Sequence, residues 1–183
     1  MQMKGRQAVD TVAVVEHRTP IGRVTLAATD QALLYCGFAG AAEVRARVAL
    51  DGSLVPEPGG KDEGQGEVLC WAREELDDYL SGEQRAFTVP VDLRLATPFS
   101  RTVNLALDAH VPYGTRTSYG ALATALGRPG AARAVGAALG ANPVCVVLPC
   151  HRVVGASGSL TGYAGGVPAK RFLLELEAGH RAA

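Results

Sequence analysis

The sequence predicts an α+β fold, with a small antiparallel sheet in residues 1–92 and mostly helices in residues 93–183. Short runs of β-branched and apolar residues, separated by Gly, Pro and Asp, come before residue 40. Capped helical segments follow residue 97. The net charge also changes sign between the two parts, from −6 over residues 1–92 to +6 over residues 93–183.

The strands of the first part are predicted from short local signals. Residues 11–16 and 23–28 are β-type runs on either side of a turn that contains Pro20 and Gly22. Residues 31–38 form a third such run after the turn at Thr29 and Asp30. Three consecutive strands joined by short turns predict an antiparallel sheet.

Two helices and two irregular segments complete the first part. Helices are expected over residues 41–50 and 67–80, the second because apolar residues that include Trp71 and Tyr79 recur at helical spacing. Gly, Pro and charged residues predict a loop over residues 51–66. An extended segment over residues 87–93 then leads to a domain boundary near residues 92–97.

The second part contains four helix signals. Thr97 is an N-cap before Pro98 and opens a helix to about residue 109, and Ser118 caps a second helix to residue 126. A third helix is predicted over residues 131–139 and a closing helix over residues 168–178. Two short helices joined by a Gly-containing turn in a basic region suggest a helix-turn-helix.

The third of these helices has an unusual composition. Val135, Ala138 and Leu139 share one face, whereas Arg133 lies among small residues, including Gly136, on another. Glycine inside a helix costs about 1 kcal/mol relative to alanine. A bare face that carries one arginine therefore indicates close approach to another surface.

Composition and charge narrow the function classes. The 183 residues have ordinary globular composition, and no run approaches the length of a membrane span. Residues 1–92 carry 9 basic and 15 acidic residues, whereas residues 93–183 carry 9 and 3. No acidic residue lies between Asp108 and Glu175, and this one-signed stretch is typical of a phosphate-binding surface. Its basic residues are Arg116, Arg128, Arg133, Arg152, Lys170 and Arg171.

The chemistry is expected at Cys150. An apolar run ends at Pro149, and a proline presents the next residue on a rigid turn. The neighbouring His151 and Arg152 offer a base and a positive charge, both of which favour the reactive thiolate. The remaining cysteines lack zinc-ligand spacing, and Cys36 and Cys70 are interpreted as packing residues.

Chemistry alone leaves four roles open for Cys150: acyl-transfer nucleophile, redox thiol, metal ligand or alkyl acceptor. A hydrolase would need a positioned base, which the adjacent His151 does not easily provide. A redox thiol would need a resolving partner, and Cys145 is expected on the opposite face of an apparent strand. Metal binding by Cys145, Cys150 and His151 is unlike common sites.

Pro149-Cys150-His151-Arg152-Val153, preceded by Gly140-Ala141-Asn142-Pro143, resembles the active-site segment of the O6-alkylguanine-DNA alkyltransferases. The resemblance extends from about residue 97 to 177 and is weaker before that. It implies a ribonuclease-H-like α/β domain over residues 1–92 that supports a winged-helix-like domain over residues 93–183. The chain has Asn104 where the family often has tryptophan.

The resemblance also implies catalytic roles. Cys150 corresponds to the alkyl acceptor and His151 to the histidine that draws off its proton through a water. Glu177 corresponds to the carboxylate that orients this histidine, and Asn142 to the residue that braces the turn. Tyr119 corresponds to the tyrosine that crowds the target phosphate and donates a hydrogen bond to the guanine.

Further residues are implied for DNA and for the flipped base. Arg133 corresponds to the arginine that takes the place of the extruded base, on the helix that also carries Ala132 and Gly136. Tyr163, Ala164 and the backbone around Val153 correspond to the base pocket. Arg116 and Arg128 are candidates for phosphate contacts on their charge alone.

The activity implied is irreversible transfer of the alkyl group from O6-alkylguanine to Cys150, once per molecule, with O4-alkylthymine as an additional candidate substrate. No cofactor or metal is expected. The partner is double-stranded DNA, entered from the minor groove by a monomer, with cooperative binding along DNA as an alternative. A cytoplasmic, nucleoid-associated location follows. The rivals are a lesion-binding protein without transfer activity and a general DNA-binding regulator.

Overall fold

The computed structural model describes residues 10–57 and 66–179. Its first part contains a four-stranded sheet in the order β3-β2-β1-β4. The antiparallel strands β1 (Asp10–Thr19), β2 (Gly22–Ala28) and β3 (Leu33–Gly37) confirm the three predicted runs. Successive side chains are buried in the second half of β2 and throughout β3, because both faces of the sheet are covered there.

A fourth strand was not predicted. Strand β4 (Leu54–Pro56) lies within the segment expected to be a loop and pairs parallel to β1, so the sheet is mixed rather than antiparallel. The sequence signal for β4 is weak, because the strand has only three residues and Leu54 is the one that is fully buried. Residues 58–65 of the expected loop lie outside the described residues.

Two helices accompany the sheet, α1 (Ala41–Ala49) and α2 (Glu67–Ser81). Helix α2 ends where Gly82 adopts a left-handed conformation, with φ of 83°, which glycine tolerates without a steric penalty. Two expectations for this helix were wrong. Cys70 and Trp71 lie toward solvent, since the buried face passes through Leu69, Ala72 and Leu76 instead.

The second part begins with α3 (Pro98–Leu105), where the Thr97 side chain accepts a hydrogen bond from the Ser100 amide at 3.2 Å. The helix does not continue to residue 109 as predicted. It breaks at Ala106, and a single turn follows as α4 (Leu107–His110). The buried Asn104 contributes to the break, because its side-chain amide bonds to the Ser100 carbonyl at 2.8 Å and competes with the helix ladder.

The predicted helix-turn-helix corresponds to α5 (Tyr119–Ala125) and α6 (Ala132–Gly140). The Ser118 side chain caps α5 by accepting a hydrogen bond from the Ala121 amide at 3.1 Å. Two short parallel strands, β5 (Thr117–Ser118) and β6 (Val153–Val154), connect this unit to the chain after Cys150. The closing helix α7 (Gly166–Glu177) starts two residues earlier than expected.

The main hydrophobic core spans both parts of the chain. It joins Leu26 and Leu76 to Leu122 and Leu173, all of which are fully buried. The outer edge of β3 also pairs with the segment before Cys150. The Cys36 amide bonds to the Pro143 carbonyl at 2.8 Å, and the Cys145 amide bonds to the Cys36 carbonyl at 2.7 Å. This pairing fixes the segment that precedes Cys150.

Within the described ranges, none of the helices is both long enough and apolar enough to cross a membrane.

Candidate active site

Asn142 braces the turn that leads from α6 to Cys150. Its side-chain amide donates to the Leu148 carbonyl at 2.9 Å, and its side-chain oxygen accepts from the Val144 amide at 3.0 Å. The residue is buried, so these bonds are shielded from water. They fold residues 142–148 back on themselves and deliver Cys150 into a single turn of 3-10 helix, Cys150–Arg152.

The apolar run before Cys150 is a tight loop, not the strand that its composition indicated. The Leu148 amide bonds to the Val144 carbonyl at 2.9 Å, and Val146 has φ of 71°. A β-branched residue in this left-handed region is strained by about 1–3 kcal/mol and persists only where its surroundings impose the conformation. The reversal turns the Cys145 side chain toward Cys150, and both residues line one cavity. The expectation that Cys145 lies on the opposite face of a strand was therefore wrong.

A cavity of about 310 Å³ opens beside the two thiols. Tyr119 and Gly136 lie on the side of the helix-turn-helix, and Tyr163 and Ala164 lie on the side of the loop before α7. Val153 does not line the cavity, although the resemblance placed the backbone around it at the base pocket. Its carbonyl instead accepts a hydrogen bond from the Lys170 ammonium group at 2.7 Å.

Behind Cys150, the Glu177 carboxylate is the centre of a buried network. His151 bonds through Nε2 to Oε1 at 2.5 Å, and Arg152 donates from Nε to Oε2 at 2.9 Å. The Gly114 amide donates to Oε2 at 2.9 Å, and the Tyr79 hydroxyl donates to Oε1. The family resemblance implied the pairing of His151 with Glu177, but nothing in the sequence indicated the other three donors.

The network sets the protonation of its members. Burial by itself would raise the pKa of Glu177, but hydrogen bonds from His151, Tyr79 and Gly114 lower it to about 2. Burial lowers the pKa of His151, and Glu177 only partly opposes this shift. His151 is therefore neutral near pH 7, with its Nε2 proton donated to Glu177. Its Nδ1 atom, which has no partner among the described protein groups, then carries a lone pair.

The buried Cys150 thiol ionises more readily than an ordinary thiol. The largest influence is a hydrogen bond from Cys145, which lowers the pKa of Cys150 and outweighs the opposing effect of burial. Asn142 and the positive charge of Lys170 lower it further. Cys145 also lies within reach of the Asn142 carbonyl, with Sγ 3.6 Å from the oxygen. The single S–H group of Cys145 is thus within reach of two acceptors, that carbonyl and the Cys150 sulfur.

We expect Cys145→Ala to slow the alkylation of Cys150 by iodoacetamide by roughly tenfold at neutral pH, because one hydrogen bond to a charged sulfur is lost. The variant should regain the wild-type rate at high pH, where the thiolate forms without assistance. Peptide mass spectrometry would locate the modified cysteine. Cys145→Ser keeps a donor and should react like the wild type. Equal slowing of Cys145→Ala at every pH would contradict this prediction.

Lys170 is a site residue that sequence reasoning placed on a basic surface. It is fully buried, and its ammonium group donates to the carbonyls of Val153 at 2.7 Å and Thr161 at 3.1 Å. It thereby ties the segment after Cys150 to the loop that lines the cavity. A signal was present in its spacing, because Lys170 lies on the buried face of α7 with Leu173, Leu174 and Glu177.

The helix-turn-helix presents its small-residue face as predicted. Arg133 is exposed near the start of α6, and Ala132 and Gly136 are partly exposed. A side chain at Gly136 would lie 3.6 Å from the Tyr119 ring, so the two helices are in close contact there. The Tyr119 hydroxyl donates to the Thr161 carbonyl at 3.3 Å, across the cavity.

Only some of the basic residues between Asp108 and Glu175 lie at the surface. Arg116, Arg128, Arg133 and Arg171 are exposed, whereas Arg152 and Lys170 are buried in the networks described above. Arg128 stacks over the Phe99 ring at 5.3 Å, and Arg116 reaches the Leu174 carbonyl at 3.5 Å. In residues 10–57 and 66–179, no group of His, Cys, Asp or Glu side chains is arranged to hold a metal ion.

Comparison with known proteins gives concordant matches. Residues 98–179 match the family model described as 6-O-methylguanine DNA methyltransferase, DNA binding domain. The Methylated-DNA--protein-cysteine methyltransferase of Mycolicibacterium paratuberculosis is 43% identical over 170 residues, which cover 91% of this chain and 94% of that protein.

Solved structures show the same relationship. The crystal structure of the Mycobacterium tuberculosis O6-methylguanine methyltransferase has a TM-score of 0.73 and 39% identity, covering 94% of this chain and 96% of that one. A structure of the M. tuberculosis protein in complex with DNA has a TM-score of 0.71 over 93% and 94% of the two chains. The similarity over nearly the whole length shows that the chain belongs to the family of methylated-DNA--protein-cysteine methyltransferases.

Proposed function

We propose that this protein repairs DNA by moving the alkyl group of O6-alkylguanine onto Cys150, irreversibly and once per molecule. The observation that carries the proposal is the arrangement around one cavity. The Cys150 thiol lines the cavity, and the next residue in the chain, His151, forms a buried hydrogen bond with Glu177. A DNA complex is known for the M. tuberculosis relative.

The proposed reaction is a displacement at a saturated carbon. His151 takes the thiol proton through a water, using the Nδ1 lone pair, while Glu177 stabilises the positive charge that the imidazole acquires. The Cys150 thiolate then forms a bond to the alkyl carbon as the bond from that carbon to guanine O6 breaks. The electron pair stays on the guanine, where the Tyr119 hydroxyl can donate a hydrogen bond. The product is a thioether with no evident leaving group.

The proposed DNA surface is the exposed face of α6 together with the mouth of the cavity. A base inside a duplex cannot reach Cys150, so it must be extruded at a cost of a few kcal/mol. Arg133 projects from a helix face whose small residues, Ala132 and Gly136, allow close approach to a minor groove about 6 Å wide. The exposed Arg116 and Arg128 are the proposed phosphate contacts, on their charge alone. The protein acts as a monomer in the cytoplasm, on the nucleoid.

We also propose the division of labour that the sequence indicated, with residues 1–92 as a supporting domain and residues 93–183 as the domain that holds the DNA-binding helix and Cys150. The mixed sheet supports the active-site loop through β3, as the bonds of Cys36 to Pro143 and Cys145 indicate.

Arg133→Ala is expected to slow transfer from duplex DNA much more than transfer from the free modified base. The reason is that Arg133 would fill the gap left by the extruded base, a role that only a duplex requires. Single-turnover rates with both substrates would measure the difference. Arg171→Ala is a suitable control, because Arg171 is also exposed but lies on α7. Equal losses with the two substrates would count against an extrahelical role.

The direct test of function is intact mass after incubation with a duplex that contains one O6-methylguanine. A gain of about 14 Da, one methyl group per molecule, located on Cys150 by peptide mapping is expected from thiolate chemistry. Tight, lesion-selective binding with no change in mass would instead identify a lesion sensor. Transfer that continues beyond one equivalent would refute the single-use mechanism.

A further inference from the structure

The Glu177 carboxylate is contacted from the first part of the chain. Tyr79, near the end of α2, donates its hydroxyl hydrogen to Oε1 of Glu177 across 98 residues of sequence. Tyr79 is 1% exposed and Glu177 is 6% exposed, so the bond lies in the interior. Helix α2 belongs to the part that the sequence indicated only as support.

Tyr79 shares its acceptor atom with His151. Oε1 of Glu177 accepts from both side chains, whereas Oε2 accepts from Arg152 at 2.9 Å and from the Gly114 amide at 2.9 Å. Arg152 also reaches Oε1, at 3.1 Å. Of these donors, Tyr79 is the one that comes from before residue 93.

Packing does not account for the hydroxyl. The Tyr79 ring packs against Phe87 at 4.9 Å and against Tyr113 at 6.0 Å between centroids, and a phenylalanine would make the same contacts. A buried hydroxyl needs a partner, and here the partner is a carboxylate that already has three other donors. Burial and the nearby Glu177 charge raise the pKa of Tyr79, so the hydroxyl remains a donor across the physiological range.

We propose that Tyr79 is a positioning residue for alkyl transfer, whose hydroxyl holds the Glu177 carboxylate in the orientation that His151 needs to accept the Cys150 proton. This inference rests on the proposed function and extends it. Through Tyr79, helix α2 then helps to orient the groups that accept the Cys150 proton, and the first part of the chain contributes to the chemistry as well as to the fold.

The expected consequence of losing the hydroxyl is specific. In Tyr79→Phe the carboxylate keeps Arg152, Gly114 and His151 but loses the Tyr79 hydroxyl, one of the three donors at Oε1. The rate of transfer should fall by roughly tenfold, which is the effect expected from the loss of one hydrogen bond to a charged group. The same factor should apply to a methylated duplex and to the free modified base, because Tyr79 is buried away from the exposed face of α6.

The experiment compares Tyr79→Phe with Tyr113→Phe. Tyr113 lies beside the same network, with its ring 5.7 Å from the Arg152 guanidinium carbon, and a phenylalanine there keeps that ring. Single-turnover rates would be measured at saturating protein, and duplex affinity would be measured in a Cys150→Ser background. We expect slow transfer with unchanged affinity for Tyr79→Phe and wild-type behaviour for Tyr113→Phe.

Two kinetic outcomes would overturn the proposal. One is a wild-type transfer rate in Tyr79→Phe, and the other is equal slowing in both variants, which would indicate general loosening of the core. A second measurement needs no substrate: the ¹⁵N chemical shifts of the His151 ring should move in Tyr79→Phe and stay in place in Tyr113→Phe. If the wild type transfers nothing but these shifts move, the proposed function fails and the positioning role stands. Unmoved shifts in Tyr79→Phe would refute the positioning role.

Discussion

Cys150→Ser is expected to abolish alkyl transfer while leaving binding to a methylated duplex intact. Serine is a poor nucleophile unless a base activates it directly, and its hydroxyl is far less acidic than the Cys150 thiol, whose pKa is lowered by Cys145, Asn142 and Lys170. The loss should exceed a thousandfold, on the order of 4 kcal/mol in transition-state stabilisation. Intact mass after incubation with the duplex would show no added methyl group.

The control for this prediction is Cys70→Ser. The chemical change is the same, but Cys70 is exposed on α2 and does not line the cavity. This variant should gain one methyl group like the wild type. Full transfer by Cys150→Ser, or loss of transfer by Cys70→Ser, would contradict the assignment of Cys150 as the acceptor.

Glu177→Gln is expected to cost both stability and activity. A glutamine side chain has only one oxygen, so it cannot accept all the hydrogen bonds that the two carboxylate oxygens of Glu177 receive. The Arg152 charge also loses its buried counter-charge. Removing one partner of a buried ion pair typically costs about 3–5 kcal/mol. Transfer should fall by more than tenfold, because neutral glutamine does not stabilise a positive imidazole on His151. Denaturant unfolding and single-turnover rates would measure the two effects.

The same change alters the dependence of stability on pH. The pKa of Glu177 is about 2 in the folded protein, below its ordinary value of 4.5. Its contribution is therefore complete above about pH 4.5 and is lost as the pH falls toward 2, a loss of about 3 kcal/mol. His151 adds to acid sensitivity, because burial lowers its pKa in the folded state. The free energy of unfolding of the wild type should therefore fall on acidification through both Glu177 and His151. In Glu177→Gln the fall of about 3 kcal/mol that Glu177 causes should be absent.

Glu175→Gln provides the matched comparison, since Glu175 lies on the exposed side of the same helix. It should unfold and react like the wild type. A pH dependence of stability that is identical in Glu177→Gln and in the wild type would show that the buried carboxylate does not carry the charge described here.

The sequence predicted the parts of this fold that depend on local signals. Thr97 and Ser118 are helix caps as expected, and the segment at Cys150 identified the family before any geometry was known. The orientation of Cys145 was predicted wrongly, because Val146 adopts a conformation that a β-branched residue avoids in the absence of tertiary constraints. Local propensity gives no warning of such a reversal.

Contacts between distant residues were also beyond sequence reasoning. Tyr79 was recognised as an apolar-face residue at helical spacing, and its ring does pack in the core. Its hydroxyl, however, meets a carboxylate that lies 98 residues later in the chain. Lys170 was counted as surface charge, because a buried lysine is rare and needs carbonyl partners that only the folded loops supply.

The pairing of β3 with the segment before Cys150 affects how the chain can be divided. An edge strand with unpaired amides and carbonyls is a template for association with other chains. In the intact protein, the Pro143 and Cys145 backbones satisfy the outer edge of β3 at Cys36. A fragment of residues 1–92 would expose this edge together with the apolar surface that packs on the second part. Such a fragment should aggregate on expression, whereas adding the second part in trans should keep it dispersed.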